Sequence, residues 1–500
     1  MPIISWTTLD LIVLAGTLLV LRTIHERRRR RGLSYPPGPP QLPFVGNLTT
    51  VSSKAKEGIW MTYHRLGKPY GDLYSLCILG QRIIILQTRK AVTDLMERRA
   101  AIYSHRIYPT IMDMAKFDWA LSAIQPDEHW RIGRRSLDRS LRPSAIVQHQ
   151  PMQVAKTCEF LSLLRDEPHR FRNHIQHLTG AMTMSLAYGY EVRRYDDAHL
   201  KNARSALDIA TKAALPGALL VNDFPFLRRI PAWVPWLSYQ PFARVAYEIG
   251  QASIREPWKY VKQELEKGTA RPSLALDELL EHHPFKSEEE EYVIMGALGT
   301  VFAGTNHDTT TSILESFFLM LALYPDIQAR AQAEIDSVTA GERLPTFADR
   351  PALHYINAMV KELVRWRPVT PIGAPHALCE DDVYQGYFIP KGTMVIANAW
   401  SILHDPEVYP DPDMFITERF LTDNGRFKDD PWLSVAFGAG KRTCPGRFFV
   451  DSTVFIVIAT VLSTFSVRRS GDVPLELNVN KGKGIVTLRS RLLIYFRRAN

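Results

Sequence analysis

Apolar and polar residues follow different periods in different parts of the chain. Residues 3–21, IISWTTLDLIVLAGTLLVL, are nineteen positions with one charge, Asp10. As a helix this run is about 28 Å long, close to the hydrocarbon thickness of a bilayer. RTIHERRRRRG follows it, and a cationic cluster beside an apolar span stays on the cytoplasmic side. The pattern predicts a single-pass N-terminal transmembrane helix, an anchor over 1–24, with the body in the cytosol. A cleaved signal peptide fits less well, because its charges precede the apolar run. YPPGPPQLPFVGN, 35–47, cannot be helical and reads as a stiff connector, so 25–45 is a polybasic and proline-rich linker. Residues 46–500 contain no second linker or repeat and read as one domain.

Within that domain, YGDLYSLCILGQRIIILQT (70–88) alternates as a strand pair turning near Gly80-Gln81. DVYQGYFIPKGTMVIANAW (382–400) supplies further strands, turning at Pro390-Lys391-Gly392. Helical spacing marks 91–100, 205–214, 288–323, 325–339, 351–366 and 446–464. Helices outnumber strands, which gather in two places, so the fold class is mainly α, an α+β domain with small sheets. The run 288–323, as one central helix, would be about 54 Å long. Its middle is apolar nearly all round and therefore buried. Yet FAGTNHDTTTS (302–312) places Asn306, His307, Asp308 and four threonines inside it. Threonines bonded back to the helix are one explanation. A helix lining a reactive pocket, distorted where polar chemistry is needed, is the other and is favoured, since polar groups are costly in a core.

Composition changes this picture little. The chain is 46% hydrophobic, ample for a large core, and carries a formal net charge of +9. Much of that excess lies in the arginines before residue 33, and the body lacks the lysine clusters of a nucleic-acid binder. The four cysteines, Cys77, Cys158, Cys379 and Cys444, form no CxxC pair and no disulfide framework, which implies reducing surroundings.

Cys444 stands in FGAGKRTCPG, 437–446. Lys441 and Arg442 flank it, Gly438 and Gly440 allow sharp turns, and an apolar helical run begins just after it. Cations and helix-terminal amides lower a thiol's pKa, so the turn is suited to a thiolate. A packed thiol, a nucleophile, a metal ligand and a cofactor ligand are the alternatives. No local signature of a cysteine hydrolase accompanies it, and zinc would want more ligands at short spacing. A lone thiolate suits a large cofactor that brings its other ligands, as haem does.

These residues resemble the cytochrome P-450 superfamily. Its Phe-x-x-Gly-x-Arg-x-Cys-x-Gly signature is filled by Phe437, Gly440, Arg442, Cys444 and Gly446. KELVRW supplies the family's Glu-x-x-Arg as Glu362 and Arg365. FITERF supplies Arg419, with Thr417 where a proline is usual. WRIGRR matches Trp-x-x-x-Arg as Trp130 and Arg134, and APHAL places His376. The likeness runs from the anchor to the last strands and leans toward membrane-bound fungal members, the O-methylsterigmatocystin oxidoreductase-like ones included.

The resemblance implies the cytochrome P-450 fold and haem b, with Cys444 as metal ligand. Trp130, Arg134, His376 and Arg442 would face the haem, the last three at its propionates, with Phe437, Gly440 and Gly446 shaping the ligand loop. Glu362, Arg365 and Arg419 would form a structural network. Asp308 and Thr309 would be the acid–alcohol pair that relays protons. Asn306 and His307 depart from the family pattern there. A second register, starting at Ala303-Gly304, would put Asn306 and His307 in the acid and alcohol places, about 200° round the helix. The first is favoured because the following TTSILESFFLMLALYPDIQ keeps the family's phase. Substrate contacts are expected from Phe117, Trp119, Ala303, Thr370, Ile372 and Ile485, an apolar set suited to a lipophilic small molecule reaching the site partly from the membrane.

The implied activity is NADPH-dependent monooxygenation through a flavoprotein reductase, with a cytochrome b-type donor as a further partner and no nucleic acid. The implied setting is the endoplasmic reticulum membrane and fungal secondary metabolism of terpenoid, polyketide or indole compounds. A reductase-independent haem-thiolate isomerase or dehydratase and a non-catalytic haem sensor are the competing readings.

Overall fold

The computed structural model describes residues 28–54, 58–193, 197–214, 219–234, 238–282, 284–305 and 309–469, the strands 477–480, 485–488 and 492–496, and residues 13, 17 and 24. Most of the predicted anchor lies outside the described residues.

The first sheet element is a hairpin of β1 (Leu73–Ile78) and β2 (Gln81–Leu86), in register Ile78↔Gln81. Its turn is Leu79-Gly80, both at positive φ (49° and 85°). Two left-handed residues match the twist of the strands they join. The longer helices follow: α1 (Glu128–Leu141), α2 (Gln150–Asp166), α3 (Phe171–Tyr188), α4 (Ala198–Ala214), α5 (Gln240–Glu266), α6 (Glu288–Thr305), α7 (Thr309–Leu323), α8 (Pro325–Thr339) and α9 (His354–Trp366). Then come β3 (His376–Ala377), β4 (Asp382–Tyr384), β5 (Tyr387–Ile389), β6 (Met394–Ala397) and α10 (Arg447–Thr464). β7 (Phe465–Arg469), β8 (Leu477–Asn480), β9 (Ile485–Leu488) and β10 (Leu492–Phe496) end the chain.

The fold is mainly helical with small sheets, as the hydrophobic periods predict. One sheet runs β1-β2-β6-β3, with β2 and β6 parallel and β3 antiparallel to β6. Three two-stranded pairs, β4-β5, β7-β10 and β8-β9, complete the strands described. The predicted helix 351–366 is a short tight turn over Phe347–Ala352 followed by α9, because Pro351 cannot donate within a longer helix. The predicted run 288–323 appears as α6 and α7, and residues 306–308 between them lie outside the described residues.

Among the described residues, one helix is long and apolar enough to cross a membrane, α10. Val454–Leu462 of α10 are buried in the core, so its apolarity is spent on packing. The proline-rich stretch is bonded to the body. Ser75 donates its amide to Pro37 O at 2.7 Å, and Phe388 donates to Ser34 O at 2.8 Å. Arg29 pairs with Asp381 beyond β3.

Small residues set the helix spacing around α6. A Cβ on Gly133 of α1 would lie 3.1 Å from Ala297 Cβ, so α1 and α6 meet closely there. Gly296 seats the backbone of Trp119, and Gly250 of α5 seats the ring of Phe117; added Cβ atoms would come within 2.7 and 2.9 Å.

Candidate active site

α1, α6, α7, β3 and the loop before α10 enclose a cavity of about 310 Å³. The loop holds its shape by short-range bonds. Cys444 donates its amide to Phe437 O at 2.8 Å, and Thr443 donates to Gly440 O at 3.2 Å. Gly440 has φ 61°, and a Cβ there would stand 2.0 Å from Met96 O. No side chain is compatible with that approach. Gly446 is not strained; its missing side chain leaves Cys444 Sγ open to the cavity, 3.8 Å from where a Cβ would be.

Cys444 lines this cavity, as do Phe437, Gly446 and Arg442. Gly440 does not line it; it anchors the loop on Met96. Burial pushes the Cys444 thiol up, against the opposing pull of the Gly446 amide and of Arg134 and Arg447. The flanking cations alone suggested a lowered value; in the protein by itself, desolvation is larger. A metal cation at the sulfur is what would hold it ionised.

The opposite edge of the cavity is cationic. Arg442 donates from Nε to Ser104 O at 2.8 Å and from Nη2 to Ile124 O at 2.7 Å. Its guanidinium also sits 4.7 Å from the centre of the Trp130 ring. Arg134 donates to Thr443 O at 2.6 Å and pairs with Asp138 at 2.8 Å. Arg106, which the motifs did not single out, donates to Ser122 O at 3.0 Å and to Ala374 O and Pro375 O at 2.6 Å each. Arg106 and Arg442 thus have carbonyl dipoles as partners and, among the described residues lining the cavity, no carboxylate. Burial pushes Arg106 down to about 9, with help from Arg442, and pushes Arg442 down to about 10. β3 brings His376 to the same edge. It is buried, its Nδ1 donates to Tyr103 O at 2.7 Å, and burial followed by Arg106 holds it well below the usual histidine range. It is neutral at pH 7.

The cavity's other wall is apolar and hydroxylic. Val301 and Thr300 come from α6, Thr309 and Ile313 from α7, and Val369, Thr370 and Ile372 from the segment after α9. Thr309, Thr370 and Ile372 were expected there. Phe117 and Trp119 are not among the lining residues; they fill the grooves at Gly250 and Gly296. Leu121 and Ser122 of the same loop line the cavity instead. Ala303 lies in α6, but its side chain is outside the described residues, as are Asn306, His307 and Asp308 entirely. The side chain of Ile485 in β9 is likewise outside them.

Behind the loop, Arg365 donates from Nε and Nη2 to both carboxylate oxygens of Glu362, at 2.6 and 2.8 Å. It also donates to Leu403 O, Pro412 O and Met414 O. Arg419 stands 3.5 Å from Glu362, and Ile416 donates its amide to the same carboxylate at 2.9 Å. Glu362 and Arg365 are wholly buried. The network ties α9 to the segment 403–419.

A buried thiol under a flat cavity, cations gathered at one edge and an apolar wall opposite define a site able to hold an apolar macrocycle with acidic substituents. The family comparison agrees. The model of the Cytochrome P-450 family matches residues 36–496. The cytochrome P-450 monooxygenase COX2 of Coprinopsis cinerea is 37% identical over 470 residues, 92% of this chain and 88% of that protein. Tryptamine 4-monooxygenase of Psilocybe cyanescens is 35% identical, covering 92% of this chain and 91% of that protein. The cytochrome P-450 monooxygenase ple1 of Rhodocybe pseudopiperita is 36% identical, covering 89% and 86%. The chain belongs to the cytochrome P-450 family. It is a haem-thiolate monooxygenase of the fungal secondary-metabolism type, an oxidoreductase that uses haem b, draws electrons from NADPH through a reductase and acts on a lipophilic substrate.

Proposed function

We propose that Cys444 Sγ is the iron ligand, and that Arg106, Arg134, Arg442 and His376 hold the two propionates. The observation that carries this is the pair of guanidinium groups, Arg106 and Arg442, without a protein carboxylate at the cavity edge. Enclosed cations destabilise each other unless an anion joins them. Two propionates would answer Arg106 and Arg442, and would raise His376 toward its usual range. Haem supplies oxygen activation when bound; the protein's share is to place substrate, exclude water and deliver protons. Trp130 keeps Arg442 oriented through its ring face. Thr309, on the cavity wall, holds a proton donor position at its hydroxyl. Asp308 relays protons to it from outside. The apolar wall of Val301, Ile313, Val369 and Ile372 excludes bulk water and receives a hydrophobic substrate.

The domain boundaries carried forward are an anchor over 1–24, a linker over 25–45 and a catalytic domain over 46–500. The anchor is proposed to hold the enzyme on the endoplasmic reticulum membrane with its body in the cytosol. The reductase is an NADPH-dependent flavoprotein, with a cytochrome b-type protein as second donor. One listed relative's name specifies tryptamine, so indole compounds join terpenoids and polyketides as substrate candidates.

The test of the proton path is a pair of variants. Thr309→Ala should divert NADPH consumption from product to hydrogen peroxide, while His307→Ala leaves coupling intact. The reverse pattern would assign the relay to the second register, Asn306 and His307.

A further inference from the structure

The cavity wall carries four hydroxyls, from Ser122, Thr300, Thr309 and Thr370. Their surroundings differ. Thr300 accepts the Leu121 amide at 3.0 Å and donates to Gly296 O at 2.9 Å, so it is spent on holding the loop. Thr370 reaches Ala436 O at 3.4 Å. Thr309 is bonded within the protein. The Ser122 hydroxyl takes no hydrogen bond among the described residues, and Ser122 is exposed to the cavity.

The backbone under Ser122 is held on both sides. The Leu121 amide is fixed by Thr300 on α6. Leu121 O accepts from Arg442 at 3.3 Å, and Ser122 O accepts from Arg106 at 3.0 Å. The Leu121 side chain packs against Gly133 of α1. A short side chain on so fixed a backbone has little freedom to lose when a ligand arrives, which is what a specificity contact needs. Elsewhere the wall offers methyl and methylene groups.

We infer that Ser122 is a specificity-determining residue, donating to or accepting from a single oxygen on an otherwise apolar, uncharged substrate. The substrate class is a neutral hydrocarbon skeleton that already carries a hydroxyl or carbonyl. A preceding oxygenation, or a synthesis that leaves an oxygen behind, would have to supply it. This deepens the haem-thiolate reading proposed above and rests on it.

The test uses the full-length, haem-loaded protein and matched probes: cedrol against cedrene, and 2-indanol against indane. Binding is read from the substrate-induced Soret shift. In wild type the alcohol of at least one pair should bind about three- to tenfold tighter than its hydrocarbon, the range of one net hydrogen bond. Ser122→Ala should shrink that ratio below about twofold without changing the hydrocarbon's affinity, and Ser122→Thr should restore it. Melting temperature and haem retention should not move.

An unchanged ratio in Ser122→Ala, or no preference for either alcohol in wild type, overturns the inference. Loss of haem from Ser122→Ala also overturns it, because the hydroxyl would then serve a propionate. Tryptamine binding tighter than every neutral probe overturns the substrate class. A folded wild-type protein whose reduced carbon monoxide complex lacks thiolate absorbance overturns the parent reading, and this inference with it.

Discussion

Two arginine-rich regions of this molecule solve the same problem in opposite ways. In the network behind the loop, Arg365 is fully buried and has Glu362 against it, with two short bonds and three carbonyls besides. At the cavity edge, Arg106 and Arg442 have carbonyls alone, and both are pushed below the usual arginine range. The first region is electrostatically complete within the protein. The second is completed by something else. Burying a cation without an anion costs several kcal/mol after relaxation, so an uncompensated pair marks a place kept for an anionic ligand.

The largest effect that would sharpen this contrast comes from the complete region. Glu362→Gln leaves Arg365 buried against a neutral amide and should cost about 3–5 kcal/mol, whether or not haem is bound. Denaturant unfolding of both forms checks it. A cost confined to the haem-loaded form would break the comparison.

At the cavity edge the two forms should diverge. Arg106→Gln keeps a donor for the carbonyls and removes the charge. Haem should then dissociate about tenfold more readily, as expected when one charge-assisted bond is lost. The haem-free protein should be nearly unaffected, because relief of repulsion with Arg442 offsets a weakened bond. Apomyoglobin transfer kinetics measure the first quantity and urea unfolding the second.

The pH dependence is smaller and has a definite sign. Arg106 in the haem-free fold sits near 9, below its unfolded value, so above pH 9 the unfolded chain binds more protons than the native one. Stability of the haem-free protein should therefore rise from pH 9 to 10 relative to the haem-loaded form, by at most about 1.4 kcal/mol per pH unit for one proton. Below pH 9 this contribution is flat. Taking the difference between the two forms cancels groups common to both. A falling difference would contradict the assignment of the anionic partner.

The smallest effect tests the core assignment of an aromatic expected in the pocket. Phe117→Leu should cost about 1–2 kcal/mol of stability through the gap it leaves over Gly250. It should leave Soret-monitored affinities of cedrol and 2-indanol unchanged.

Local chemistry was the most legible part of this protein. FGAGKRTCPG and KELVRW are short enough that neighbouring residues state their own geometry. Gly440 could be assigned a sharp turn from sequence, and its approach to Met96 gives the reason. Strand and helix periods located β1, β2, α8 and α10 closely, since each keeps one apolar pattern to its end. Arg106 was not legible. SHRIYP carries no spacing that marks it, and its place depends on the loop at Ser122 meeting the segment 374–375. Phe117 and Trp119 were misleading for a related reason. Hydrophobicity cannot distinguish a cavity wall from a groove, and the grooves are set by glycines more than 130 residues away in the chain. The Ser122 hydroxyl became visible only once its neighbours' hydrogen bonds were accounted for.

The measurement that bears most directly on the account is the carbon monoxide difference spectrum of the reduced protein, recorded for wild type and Cys444→Ser at matched haem content and with folding checked by far-ultraviolet circular dichroism. Wild type should show the thiolate-specific absorbance and the variant should lack it. A folded, haem-loaded wild type without that absorbance, or a Cys444→Ser protein that keeps it, would contradict the assignment of Cys444 as the iron ligand.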